Sequence, residues 1–179
     1  SSLNFTNDYD AALSSVPLYG LYRNGNNVKI RTGNSSAETN VSYVNYMFSH
    51  GSINPADAQT YYIGMISDLE PTTTDNVSRR VICQYTGQVK QVSIMSNVNG
   101  TLATNEASTL SIYNVTQSTG VTITTGYTYN VADNNINYTL STPLSVTEGD
   151  NLQIRWTTPT WSTNPTSVRQ YFNVKIRLI

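Results

Sequence analysis

The chain reads as an all-β protein: an antiparallel β-sandwich or jelly roll behind a short N-terminal helix-plus-hairpin element. Three observations predict it. Short runs rich in Val, Ile, Tyr and Thr alternate apolar with polar residues at a period of two, the period of a half-buried strand. Turns rich in Asn, Gly and Thr separate them at a spacing of roughly 8–12 residues, which favours a sandwich over longer-period folds. A helical period is almost absent after residue 16. Disorder is excluded despite the polarity, because the apolar alternation is regular and the formal net charge is only −1. No repeat of fixed period is visible, which argues against a propeller or solenoid.

The elements follow in order. Residues 8–16, DYDAALSSV, hold a turn or two of helix with Asn7 or Asp8 as its cap. Runs 18–22 and 28–32 flank Asn24-Gly25-Asn26, where Asn-Gly accepts positive φ at low cost and so predicts a tight hairpin. Residues 1–35 are read as a separate N-terminal attachment or oligomerisation element, and residues 36–179 as the jelly-roll head. Within the head, strands are expected over 41–48, 60–66, 77–85, 88–98, 108–115, 121–131 and 137–144. His50, Gly51 and Pro55 are placed in a loop between the first two of these. Glu148-Gly149-Asp150 forms a turn, after which Leu152, Ile154 and Trp156 share one face of a strand. In the last run Phe172, Val174, Ile176 and Leu178 alternate with Asn173, Lys175 and Arg177. A strand this regular at the chain end frays unless it is paired, so it is read as a central strand.

Composition narrows the function. Asn, Ser and Thr supply 66 of the 179 residues and Tyr 13 more, while charged residues make up 12%, about half the ~25% usual in soluble domains. Such a surface makes hydrogen bonds and stacks on flat faces without long-range steering. The net charge of −1 leaves no electrostatic footprint for nucleic acid. No run approaches the ~18 apolar residues of a membrane span. The single cysteine, Cys83, lies in an apolar run and reads as a buried thiol.

Catalytic chemistry finds little to use. Nucleophilic triads need a histidine base, and the only histidine, His50, reads as a loop-packing residue. One His and one Cys do not make a zinc site. The acidic pairs Asp8/Asp10 and Asp68/Glu70 lack a calcium loop, and phosphate-cradling glycine motifs are absent. Glu148 and Asp150 are expected to cap their own turn. The expectation is therefore a protein that is not an enzyme and carries no cofactor or metal.

Binding is better supported. Saccharides are recognised by aromatic faces set among uncharged hydrogen-bonding groups, and residues 157–166 place Trp161 among hydroxyls beside Asn164. Tyr127 and Tyr129 are further candidates for that ligand-binding surface. The competing reading is that Trp161 folds back to plug the sandwich end, and that Trp156, in phase with Leu152 and Ile154, is core. Seven N-x-S/T sequons occur, at Asn4, Asn34, Asn40, Asn76, Asn99, Asn114 and Asn137. Chance alone gives about five at this composition, so they do not establish glycosylation.

Two segments carry a resemblance. Residues 10–32, with GLYRNGNNVKIR in their second half, resemble an element of phage and large-virus structural proteins found beside fibre or spike domains. Residues 87–104, GQVKQVSIMSNVNGTLAT, with 157–168, TTPTWSTNPTSV, are similar to small β-sandwich heads of such proteins. The whole outline looks like the trimeric jelly-roll heads of the C1q and TNF type. The resemblance implies a virion surface protein, a spike or fibre head with a receptor-binding role. It implies a homo-oligomer, a trimer favoured, whose contact includes Phe172, Val174, Ile176 and Leu178. Its partners would be other virion proteins and a cell-surface glycan or receptor. The alternative is an extracellular adhesin, lectin-like module or filament subunit assembling by strand addition.

Overall fold

The computed structural model describes residues 21–24, 27–31, 38–40, 43–65 and 69–178. The chain divides into a smaller unit, Ser1–Val44 with Arg177–Ile179, and a larger one, Asn45–Ile176. In the smaller unit β1 (Leu21–Asn24) and β2 (Asn27–Arg31) pair antiparallel with Asn24 opposite Asn27, so two residues connect them. That is the hairpin the Asn-Gly pair predicts. The third strand, β3 (Glu38–Asn40), pairs with the free edge of β2. The helix expected over residues 8–16 lies outside the described residues.

The larger unit is all β. Its first sheet has the order β10-β7-β12-β4, built from β4 (Tyr43–Ile53), β7 (Gly87–Val98), β10 (Asp133–Val146) and β12 (Val168–Leu178). The second has the order β5-β11-β8-β9, from β5 (Thr60–Ile63), β8 (Ser108–Asn114), β9 (Thr119–Tyr127) and β11 (Asn151–Thr157). The short β6 (Val81–Ile82) adds to β11. The final strand β12 is interior, between β7 and β4, as its clean alternation predicts.

Alternation puts the core between the sheets. Val89, Val92 and Ile94 of β7 meet Leu110 and Ile112 of β8 and Leu152, Ile154 and Trp156 of β11 among the buried residues. On β7 the inward phase slips between Val89 and Val92, so that Lys90 and Gln91 both face out. The β10 register shifts at the same place, between Thr139 and Leu144. This is a bulge, which bends a long strand and strengthens its twist.

Two sequence expectations are corrected. His50 lies in the second half of β4 rather than in a loop, and is 2% exposed. Ser49, Gly51 and Ile53 looked like loop residues, yet Ser49 donates its backbone N–H to Gly64 and Gly51 to Leu69, which extends the pairing. The strand expected over 77–85 is a 3₁₀ turn, Val77–Arg79, followed by two-residue β6. Asn76 caps that turn by accepting from the Ser78 N–H, and Val77 stands exposed, so only Val81 and Cys83 at the end of the run reach the core.

The β10–β11 turn is fixed from inside. The Asp150 carboxylate accepts from the Thr147 N–H at 2.7 Å and from Asn114 Nδ2 at 2.7 Å, so Asp150 caps its own turn as expected. Gly149 takes φ 91° with open space where a Cβ would lie. Gly149→Ala therefore meets no clash and tests backbone strain alone. It is expected to lower stability by about 1–2 kcal/mol, read from urea denaturation midpoints; an unchanged midpoint would contradict the strained turn.

Candidate functional site

Four loops meet at one end of the sandwich: residues 54–59, 99–107, 128–132 and 158–167. They are stitched by hydrogen bonds such as Ala58 N–H to Pro159 O, Ala103 N–H to Tyr129 O and Thr166 N–H to Thr101 O. The four residues proposed from sequence for ligand binding all lie at or beneath this end. Trp161 and Tyr129 rings are edge-on at 5.9 Å, and Tyr127 and Tyr129 at 5.2 Å.

Their faces are not available, however. Tyr127 and Tyr129 are 0% exposed and Trp161 6%. Tyr127 donates its hydroxyl to Ser96 Oγ at 2.8 Å, and burial pushes its pKa up to about 12. Tyr129 Oη is hydrogen-bonded to the Gln170 side-chain amide at 2.6 Å, with burial holding its hydroxyl well above the usual value. Trp161 is a plug, its indole N–H shielded without a partner. Asn164 remains at the surface but spends its side-chain N–H groups on Pro55 O and Asp57 Oδ1, each at 3.1 Å. The loop end is sealed, with the rings of Tyr127, Tyr129 and Trp161 covered.

The loop end is polar and anionic in its details. Asp57 Oδ1 also accepts from the backbone N–H of Trp161, and Glu106 Oε1 from that of Ser162 at 3.1 Å. Hydrogen bonding from Ser162 holds the Glu106 carboxyl below the usual range. On the outer face of the second sheet Arg155 lies 3.5 Å over the Tyr113 ring, and Tyr113 in turn covers Gly120 on the neighbouring strand. Asp75, held below its usual pKa by Gln153 and the Arg80 cation, accepts from both. These groups are committed to one another. Among the described residues no group of three or more His, Cys, Asp or Glu side chains could hold a metal ion.

The last strand was expected to offer an oligomer contact. Phe172, Val174 and Ile176 are buried in the protein's own core, so their side chains have no surface to give another chain. Leu178, the fourth of the set, is half-buried. The opposite face of the same sheet is different. There Met47 of β4 and Met95 of β7 are 39% and 49% exposed, with half-buried Tyr171 of β12 between polar Ser93, Asn135 and Asn173. Together they line an open, largely apolar depression of about 170 Å³. The side-chain oxygen of Asn173 is shielded there without a hydrogen-bond partner. Sequence reasoning missed this surface; the signal was methionine at outward positions of two alternating strands.

No family model matches the chain, and no curated protein matches it. Among solved structures the globular domain of zebrafish complement 1qA protein is similar over 77% of this chain and 98% of its own, at 13% identity and a TM-score of 0.43. Among the described residues no helix is long and apolar enough to cross a membrane.

The buried Trp161 plug has a direct test. Trp161→Ala is expected to cost roughly 3–5 kcal/mol, as for other buried aromatics cut to alanine, measured by chemical denaturation. A variant as stable as the parent would return Trp161 to the list of ligand-facing residues.

Proposed function

We propose that the protein is the β head of a spike or fibre on a virion surface, that it works as a homo-oligomer, with a trimer favoured, and that residues 1–35 serve as its attachment element. The observation that carries the assembly is the outer face of the β10-β7-β12-β4 sheet. Its centre is Met47, Met95 and Tyr171 beside the polar Ser93, Asn135 and Asn173, with Arg169 and Lys175 before and after them at outward positions of β12. An apolar centre with a polar rim, enriched in Met and Tyr, is the anatomy of a protein interface.

The occupant proposed for this face is a second copy of this chain, because an apolar patch bearing Met and Tyr is matched by its like. A trimer is favoured by the resemblance of the sequence to jelly-roll heads of the C1q and TNF type. Support for the virion is the resemblance of residues 10–32, 87–104 and 157–168 to viral and phage structural proteins. A receptor contact at the loop end would fall to exposed amides and hydroxyls, because the rings beneath are sealed.

Light scattering at micromolar concentration is expected to show an oligomer. Met95→Glu is expected to weaken it by more than about tenfold, some 1.4 kcal/mol. A monomer at every concentration, or a Met95→Glu protein that stays assembled, would overturn the reading.

A further inference from the structure

Beneath the Trp156 ring lies a buried polar chain that the proposed assembly does not use. His50 Nδ1 is 2.6 Å from its neighbour's carbonyl, Gly51 O, and Nε2 is 2.9 Å from Gln170 Oε1. The other end of that amide, Nε2, meets Tyr129 Oη at 2.6 Å. Tyr129 is further hydrogen-bonded to Ser108, which also accepts the Trp156 indole N–H at 3.0 Å. The chain crosses the sandwich: His50 and Gln170 belong to the first sheet, Ser108 and Trp156 to the second.

We propose that His50, Gln170, Tyr129 and Ser108 form a proton-coupled switch that ties the two sheets together at neutral pH and loosens them on mild acidification. A neutral imidazole has one N–H and one lone pair. Its short contact to Gly51 O assigns the proton to Nδ1, which leaves Nε2 as an acceptor. Gln170 then turns its NH₂ toward His50 and its oxygen toward the Tyr129 O–H. Once His50 gains a second proton, both ring nitrogens donate, the amide oxygen faces Nε2, and the NH₂ group donates to Tyr129. The Tyr129 hydroxyl hydrogen must then turn away, toward Ser108. One proton therefore reverses each hydrogen bond from His50 to Tyr129, inside a core where all these side chains are buried.

The surroundings disfavour the charged form. The Arg79 cation opposes it, and no carboxylate figures among the groups acting on His50. The other titratable groups near the stack are the phenols of Tyr129 and, beyond Trp156, Tyr61. Burial, above all, keeps His50 below its ordinary value of 6.5. The unfolded chain thus binds this proton more readily than the folded one. The stability it contributes is complete above about 6.5 and is lost as pH falls from there toward the folded value. Asp75 and Glu106, both held below their usual range, titrate under this window.

Because His50 is the only histidine, its imidazole NMR signals report the switch without overlap. The experiment follows those signals in the intact protein from pH 8 to 4, with urea midpoints for wild type and His50→Gln over the same range. The expected titration has a midpoint below 6.5, and the wild-type folding constant falls by up to about tenfold per pH unit in the window. His50→Gln is expected to lose that slope. Should the variant fail to fold, the wild-type titration decides alone. An imidazole titrating at 6.5 or above, or parallel stability losses in the two proteins, would overturn the proposal.

Discussion

Trp156 is fully buried where the two sheets meet, and its ring is the contact on which the sandwich depends. His50 from the first sheet stacks on it at 5.6 Å and 16°. Tyr61 and Tyr129 pack against it at 5.2 and 5.5 Å. A sandwich of this size needs large rigid groups to fill the space between its sheets. An indole brings a polar N–H into that space, and an unpaired one would be costly. Ser108 answers it, Tyr129 joins Ser108, and Gln170 joins Tyr129 to His50. One aromatic at the centre thus obliges a whole polar chain, and that chain fixes the register of four strands and a loop.

The same economy explains the composition. Many of the amides and hydroxyls with visible roles hold backbone: Asn114 accepts from the Gln117 N–H and donates to Ser145 O, Thr158 bridges the 54–59 and 158–167 loops, and Asn76 caps the 3₁₀ turn. Short uncharged side chains can do this under cover, where a Lys or Glu would carry a charge out of water. The low charge is then a property of tightly bonded loops as much as of the surface. It leaves one end sealed by Trp161 and one broad sheet face with its apolar residues showing.

The strands were largely legible, because a period of two survives in Phe172, Val174 and Ile176 and in Leu152, Ile154 and Trp156. What failed to read were places where tertiary contacts override local pattern. His-Gly-Ser looks like a turn, yet residues 49 and 51 find carbonyls at 64 and 69 and carry β4 onward. Val77–Arg79 looks apolar enough for a strand, yet a cap from Asn76 winds it. At the candidate site the sequence brought Trp161, Asn164, Tyr127 and Tyr129 to one end of the fold but not their burial, which depends on four loops closing together. Met47 and Met95 were visible only as letters; that they share a face with Tyr171 follows from strand order, which no local pattern contains.

The central claim is that this methionine-bearing face is covered by another copy of the chain. The protein has three methionines: Met47 and Met95 on the face, and Met65, 62% exposed, outside the depression. Brief peroxide oxidation across a dilution series, read by peptide mass spectrometry, compares them within one molecule. Met47 and Met95 should be protected at high concentration and become reactive on dilution, while Met65 oxidises at one rate throughout. Equal, concentration-independent oxidation of all three would contradict the account.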